Sequence, residues 1–279
     1  MTTIAGTPKP MTNAVVTPVL GMHHSGSSKW TRCLNLLGME LGTAADPPTV
    51  KSRKRFWENE FFWTLNIRIL RAMDRNFHGY GGYTTLAEIP ELALGINLNP
   101  EDEDFVGEYI AMTFACPQWG WEDPTSVLLF PFWLNILTAL GFRDIRPLLV
   151  VRHPAACVQA LLREPDILSL ANQMRQDPTT LSLEMWRVYN QVLLTILDET
   201  DCFISIHRWL DDADHARGEL QRAGRYLEMD ENGPLQEALT WLDPGVAADE
   251  DGDPAFVDAE SLALYWTLVS RAEDQRASS

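Results

Sequence analysis

The chain is poor in positive charge. Its 279 residues include 22 lysines and arginines against 39 aspartates and glutamates, which gives a formal net charge of −17. Nucleic acids and anionic membranes attract basic proteins, so this balance argues against either of them as a partner.

Long apolar runs are also missing. No stretch reaches the 18 apolar residues of a membrane span, and the most apolar region, residues 127–142, is interrupted by Pro131, Asn135 and Thr138. We therefore interpret that region as a buried helix. The first 13 residues lack the apolar centre of a signal peptide. Together these features predict a soluble, cytoplasmic protein.

Cysteine is scarce and shows no metal-ligand spacing. The four cysteines lie far apart in apolar contexts, which favours buried free thiols: Cys33, Cys116, Cys157 and Cys202. The sequence contains no zinc-site spacing, no catalytic triad motif and no Rossmann dinucleotide fingerprint. Adjacent histidines such as His23 and His24 chelate a single ion poorly, so we expect no metal.

The most informative segment lies near the start of the chain. An apolar, strand-like run over residues 14–20 leads into a small-residue turn over residues 21–28, and a helical pattern follows to about residue 37. Such a turn points backbone N–H groups and the positive end of a helix dipole at a phosphate or sulfate. It lacks the GK[ST] triplet of nucleotide triphosphatases. The residues predicted to hold the anion are Gly21, Ser25, Gly26, Ser27 and Ser28.

Strands and helices alternate along the rest of the chain. Residues 146–152 read as a buried parallel strand, a helical pattern follows, and residues 202–206 give another short strand. This alternation predicts an α/β fold, with a parallel sheet flanked by helices on both faces. Ligands bind such sheets at the carboxyl ends of the strands, where Gly21 and Arg152 both fall.

The length fits a single α/β domain with appendages. We expect a flexible N-terminal tail over residues 1–13 and the α/β domain over residues 14–243. An acidic loop and a C-terminal helix are expected over residues 244–279.

Five ordered segments resemble the sulfotransferase family in its bacterial form. Residues 21–28 are similar to its 5′-phosphosulfate loop, and residues 56–59 (FWEN) to its YWEN segment. Residues 119–124 (WGWEDP) resemble its W-G-W-K-D-P segment, and residues 150–154 (VVRHP) the start of its 3′-phosphate site. Residues 186–190 resemble its W-x-x-YN helix. The resemblance covers about residues 14–228 and implies a P-loop-like sheet that binds 3′-phosphoadenosine 5′-phosphosulfate (PAPS).

The donor-binding positions depart from that family in charge. The resemblance implies that Arg152 contacts the donor, but His24 stands at the basic position of the loop and Glu122 replaces the lysine of W-G-W-K-D-P. Thr125 and Ala160 replace a further arginine and serine. Each charge-assisted bond to a phosphate contributes roughly 1.5–3 kcal/mol, so these losses predict weak donor binding.

Three residues are candidates for acid–base chemistry. Glu58 is the predicted base, because it opens a helix that borders the acceptor site in the resemblance. The alternative role for Glu58 is compensation of that helix's dipole. His24 is placed to protonate a leaving oxygen, and His23 to contact the substrate. For both histidines the alternative is loop packing.

The predicted substrate contacts surround these groups: Trp57, Tyr80, Tyr83, Trp121, Glu122 and Asp123. Asp123 has the alternative role of capping the following helix. Glu122 is expected either to pair with His24 or to recognise a cationic substrate. Four basic residues in the segment 51–55 form either a solvated loop or a positive field over an anionic ligand.

Three functions follow from these patterns. The first is a bacterial, small-molecule sulfotransferase of natural-product biosynthesis, which transfers a sulfuryl group from PAPS to a hydroxyl or amine of a hydrophobic acceptor. The second is an enzyme on the same fold that does not use PAPS and performs acid–base cyclisation, elimination or isomerisation. The third is a non-catalytic ligand-binding protein.

Overall fold

The computed structural model describes residues 9–42, 57–76, 78–80, 85–211, 213–229, 235–242 and 254–278. The basic cluster at 51–55, Tyr83 and most of the predicted acidic loop lie outside these residues. The predicted domain boundaries stay predictions.

A parallel sheet forms the centre of the molecule. Its strands are β1 (Val15–Gly21), β2 (Gln118–Glu122), β3 (Asp144–Ile145), β4 (Leu148–Val151) and β5 (Phe203–Ile206). The strand order is β2-β1-β4-β5, and β3 also pairs with β1. Every residue of β1 is buried, which is the pattern of a strand covered on both faces. The predicted single-domain α/β fold with a parallel sheet is confirmed.

Helices cover both faces of the sheet. They are α1 (Ser27–Leu36), α2 (Glu60–Ala72), α3 (Ile89–Leu94), α4 (Pro100–Thr113), α5 (Phe130–Ala139), α6 (Pro154–Leu161), α7 (Pro165–Met174), α8 (Pro178–Glu199), α9 (Ala213–Tyr226), α10 (Leu235–Leu242) and α11 (Ala259–Ala277). Single 3₁₀ turns lie at Leu86–Glu88, Pro124–Ser126, His207–Leu210 and Pro254–Phe256.

The sheet divides the core into two clusters. Leu149 and Val151 of β4 pack with α2, α5 and α8, whereas Leu148 and Val150 pack with α1, α9 and α10. Successive side chains of a strand point to opposite faces, so this division follows from the apolar run of β4. The larger cluster is aromatic: the rings of Phe62 and Trp121 stack with centroids 4.4 Å apart.

Helix α2 begins later than the sequence pattern predicts. The Asn59 side chain accepts a hydrogen bond from the Phe61 N–H and starts the helix at Glu60, four residues after the predicted start near Phe56. At the other end, Asp74 takes a left-handed backbone conformation with φ of 58°. Helix α7 is absent from the sequence-based assignment, although Pro165 stands in its first turn.

All four cysteines carry free thiols, as predicted, and three of them are buried while Cys116 is partly exposed. None of the helices in the described part of the chain is long and apolar enough to cross a membrane.

Candidate functional site

The loop between β1 and α1 lies at the carboxyl end of the central strand. Gly26 precedes the first residue of α1 with φ of 92°, a left-handed conformation that favours glycine. A Cβ atom on Gly26 would overlap the imidazole of His207, and one on Gly21 would overlap the Ser25 hydroxyl. The N-cap residue Gly26 has no side chain to cap α1, and the Ser27 N–H of the first turn donates to Ser25 Oγ at 3.4 Å. The predicted strand-to-helix turn is therefore present, and anion binding by it stays a prediction.

Two serine hydroxyl groups of this loop donate hydrogen bonds to a carboxylate of the protein itself. Glu122 ends β2, opposite Val19 of β1. Its Oε1 accepts a hydrogen bond of 2.6 Å from Ser27 Oγ, and its Oε2 accepts one of 3.4 Å from Ser28 Oγ. Only 1% of Glu122 is exposed. Burial raises the pKa of Glu122 to about 7; the Ser27 hydrogen bond opposes this rise and the charge of Asp123 adds to it.

Glu58 and Glu122 form a carboxyl pair with separated proton affinities. Burial and, to a smaller extent, the charges of Glu122 and Asp123 together raise the pKa of Glu58 to about 9. Carboxylates that interact this strongly do not all ionise together, so the pair retains at least one proton at neutral pH. Glu58 is an acid while it holds that proton, and its predicted role as the catalytic base stays a prediction.

Asp123, which follows Glu122 in the chain, is held by hydrogen bonds from neighbouring side chains and backbone. Its Oδ1 accepts from the Thr125 N–H at 2.8 Å and from the Thr125 hydroxyl at 2.7 Å, and its Oδ2 accepts from Asn66 Nδ2 at 3.0 Å. Asn66 Oδ1 in turn accepts from Trp133 Nε1 at 2.8 Å. These bonds match the alternative that Asp123 caps the following turn. Its role as a substrate contact stays a prediction.

The two neighbouring histidines face different surroundings. His23 is buried, with ring centroids 5.3 Å from His78 and 5.8 Å from Tyr189. Burial, followed by the charges of His78 and His24, holds the pKa of His23 well below its ordinary value, so His23 is neutral. His24 has a left-handed backbone, with φ of 63°, and its Nε2 lies 3.5 Å from Glu164 Oε1. Its carboxylate partner is thus Glu164, whereas the sequence suggested Glu122.

Arg152 lies beside the loop, as the sequence predicts. Its Nη1 donates a 2.9 Å hydrogen bond to the carbonyl oxygen of His24. Its own carbonyl oxygen accepts from Trp186 Nε1 at 3.1 Å, which ties the end of β4 to α8.

The aromatic candidates are dispersed. The Arg32 guanidinium lies 4.6 Å from the ring centroid of Trp57, which packs with the smaller cluster. Trp121 is buried in the aromatic core and donates from Nε1 to Ser126 Oγ at 3.0 Å. Tyr80 is buried and lines a cavity at the C-terminal end of α2. Their roles in substrate binding stay predictions.

Two side chains beside the site were not assigned to it from sequence. The Tyr189 hydroxyl is buried without a hydrogen-bond partner among the described residues, and its ring faces His23. Lys29 bonds Asp211 at 2.7 Å, and Asp211 also lies 3.2 Å from His207 Nδ1. Lys29 follows Ser27 and Ser28 directly in the sequence, and this position could have predicted that it lies beside the site. The His207 ring packs against Gly26 of the loop.

The described residues hold no group of three or more histidine, cysteine, aspartate or glutamate side chains suited to an ion. The fit to PAPS is also poor, because Glu122 bonds the serine hydroxyls that would face the sulfonate.

This sheet order, with a small-residue loop between the central strand and its helix, defines a sulfotransferase-like α/β fold. No protein-family model matches the chain, and no curated protein matches it significantly. Among solved structures, the sulfotransferase domain from the curacin biosynthetic pathway is similar to it at 13% identity with a TM-score of 0.53. That match covers 92% of this chain and 97% of the domain.

Two further sulfotransferases are similar to the chain. The domain from the Synechococcus PCC 7002 olefin synthase has 18% identity, a TM-score of 0.45, and coverage of 97% of this chain and 95% of its own. A sulfotransferase from Mycobacterium tuberculosis H37Rv has 11% identity, a TM-score of 0.40, and coverage of 95% and 78%. At these identities the likeness concerns the fold.

Proposed function

We propose that this protein is an enzyme that uses the sulfotransferase-like fold for acid–base chemistry on a small molecule and does not depend on PAPS. The observation that carries the proposal is the 2.6 Å hydrogen bond from Ser27 to the buried carboxylate of Glu122. In sulfuryl transfer, the sulfonate of the donor would accept a hydrogen bond from the Ser27 hydroxyl. In this protein the Glu122 carboxylate accepts that hydrogen bond instead.

Electrostatics disfavours a polyanionic donor at such a loop. Two like charges about 4 Å apart repel by about 4 kcal/mol at an effective dielectric constant of about 20. This corresponds to roughly a thousandfold loss of affinity, since about 1.4 kcal/mol is tenfold. An uncharged or cationic group meets no such penalty beside Glu122.

The carboxyl pair supplies an acid and a base. Glu58, with its pKa raised to about 9, holds a proton at neutral pH, and Glu122, with its pKa raised to about 7, is partly ionised. Environments that separate the pKa values of two titratable groups assign the acid and the base. In the proposed reaction Glu122 removes a proton from the substrate and Glu58 delivers one, which is the balance of an isomerisation, a cyclisation or an elimination. The neutral His23 and the protonated Tyr189 orient the substrate by hydrogen bonds.

PAPS-dependent sulfuryl transfer to a hydroxyl or amine in bacterial natural-product biosynthesis is the second candidate. It is favoured by Arg152, which lies against the loop at the carbonyl oxygen of His24. Gly26 at the start of α1 supports it as well, because a glycine lets a ligand approach the backbone closely. In this candidate Glu122 binds the donor only when it is protonated.

Calorimetry with 3′-phosphoadenosine 5′-phosphate, the donor product, separates the two candidates. We expect no binding to the natural protein at neutral pH and measurable binding to Glu122→Gln and Glu122→Lys. The exposed Glu60→Gln variant is the control for charge alone. Low-micromolar binding by the natural protein, together with sulfuryl transfer from PAPS, would overturn the proposal.

A further inference from the structure

A cavity of about 720 Å³ lies at the C-terminal end of α2. Its walls come from α2, α7 and α8 and from Tyr80 and Thr85. The polar side chains on its walls are those of Arg71, Asp74, Arg75, Asn76, Tyr80, Thr85, Gln173 and Glu184. The acid–base chemistry proposed above does not use this cavity.

Arg75 is the unusual residue of this cavity. Only 3% of it is exposed, and its Nη1 donates a 2.8 Å hydrogen bond to the Gly79 carbonyl oxygen. Its Nε and Nη2 are buried and have no hydrogen-bond partner among the described residues. Burial lowers the pKa of Arg75, while the charges of Glu88 and Asp74 oppose that shift. A buried charged donor without a partner is costly, so a ligand that pairs with it gains affinity.

The geometry of the unpaired edge selects the ligand. Nε–H and Nη2–H point in parallel from the same side of a guanidinium, and this edge binds the two oxygens of a carboxylate together. The Tyr80 hydroxyl on the same cavity is also buried without a partner. Because burial raises the pKa of Tyr80, that hydroxyl stays protonated and is available as a third donor.

The charge on the walls favours a single negative charge. Arg71 and Arg75 are opposed by Asp74 and Glu184. A doubly charged phosphate would lie near both of these acids, whereas a carboxylate needs only the charge of Arg75.

Tyr80 interacts electrostatically with Tyr189, whose pKa is raised mainly by burial and further by Asp123 and Tyr80. The ring of Tyr189 lies 5.8 Å from that of His23. Tyr80 is therefore a neighbour of the side chains that surround His23.

We propose that Arg75 and Tyr80 form a carboxylate-binding site that anchors a small-molecule acid. The role of this site as a substrate anchor rests on the proposed function, but carboxylate binding itself does not.

Binding of simple acids tests the proposal. The probes are butyrate and 3-phenylpropionate, each compared with its neutral amide, with phenyl phosphate as the doubly charged alternative. Binding is measured by calorimetry and by saturation-transfer NMR on the full chain. We expect the acids to bind and to exceed both their amides and phenyl phosphate by about tenfold or more, as a charge-assisted, two-point contact requires.

Substitutions of Arg75 and Tyr80 test whether the acids bind at these two residues. Arg75→Lys keeps the charge and a donor for Gly79 but loses the two-donor edge, and we expect it to weaken acid binding about tenfold or more. Tyr80→Phe is expected to weaken it by a smaller factor. Arg68→Gln, on an exposed position of α2, is expected to leave it unchanged. Circular dichroism confirms that each variant is folded.

Three results would overturn the proposal: no binding of either acid by the natural protein, equal binding of acid and amide, or equal loss in Arg75→Lys and Arg68→Gln. If the natural protein binds 3′-phosphoadenosine 5′-phosphate and Arg75 still governs acid binding, the proposed function fails and the carboxylate site stands.

Discussion

The loop site and the Arg75 cavity each contain a buried charged side chain, and the two side chains differ in how many of their hydrogen bonds the protein satisfies. At the loop, the carboxylate of Glu122 is bonded by Ser27 and Ser28 of the protein itself. In the cavity, the guanidinium of Arg75 keeps two donors without a partner among the described residues. A ligand at the loop must displace the hydrogen bonds between Glu122 and the serines. A ligand in the Arg75 cavity instead forms hydrogen bonds with donors that have no partner among the described residues. Ligand selectivity therefore depends on what the protein already satisfies, as well as on the residues it presents.

Adding a methyl group to the loop is expected to have a large effect on stability. Gly26→Ala places a side chain at φ of 92° and against the His207 ring, so we expect a loss of more than about 2 kcal/mol in unfolding free energy. Gly218→Ala is the matched control, because nothing lies within 4 Å of its added Cβ on helix α9. That control is expected to gain roughly 0.5–1 kcal/mol. Chemical denaturation measures both, and equal changes would contradict the strained loop.

The carboxyl pair is expected to make stability depend on pH. The folded-state pKa of Glu58 is raised from 4.5 to about 9, so the folded protein binds the proton more tightly than the unfolded chain. Its stabilising contribution is complete below the unfolded value and is lost as pH rises towards the folded one. Glu122 adds a similar loss between 4.5 and about 7.

Denaturation at a series of pH values therefore gives a falling unfolding free energy across this window in the natural protein. Glu58→Gln and Glu122→Gln each flatten the slope, whereas Glu60→Gln does not. Infrared spectroscopy provides a direct check, because the protonated carboxyl band at neutral pH should weaken in Glu58→Gln and retain only the contribution of Glu122. A slope that survives in the double variant Glu58→Gln, Glu122→Gln would refute the pair as its source.

The smallest effect is expected from removing the guanidinium in the cavity. Arg75→Met loses one hydrogen bond but relieves two unpaired donors, so we expect a change of less than about 1 kcal/mol in stability. Arg222 is the contrasting case, because its Nη2 bonds Glu219 at 3.1 Å and the Ile204 carbonyl oxygen at 2.9 Å. Breaking such a buried pair by Arg222→Met is expected to cost about 3–5 kcal/mol. Similar costs for the two variants would show that Arg75 has structural partners.

The sequence predicted the elements that local chemistry determines. The apolar run of β1 followed by Gly21 and Gly26, and the apolar run of β4 before Arg152, were sufficient to predict the sheet and the loop beside Arg152. The charge reversal at Glu122 was also visible. Its bond to Ser27 was not, because the two residues are 95 positions apart and meet only when β2 pairs with β1.

Other features depend on packing that no local pattern records. Trp57 and Trp121 belong to motifs near the site, yet both pack into the core clusters. The Arg75 cavity was not predicted, because its main feature is that no group of the described residues accepts a hydrogen bond from Nε or Nη2 of the guanidinium. The pKa of Glu58 likewise depends on burial and on two carboxylates that are distant in sequence.

The contact between Gly26 and His207 has a dynamic consequence. The imidazole fills the space that a side chain at Gly26 would take, and Asp211 joins that imidazole to Lys29 of α1. The phosphate-loop-like turn and the segment after β5 are therefore held by one another, although 180 or so residues separate them in the chain. We expect their amide hydrogens to exchange with solvent in a single opening event.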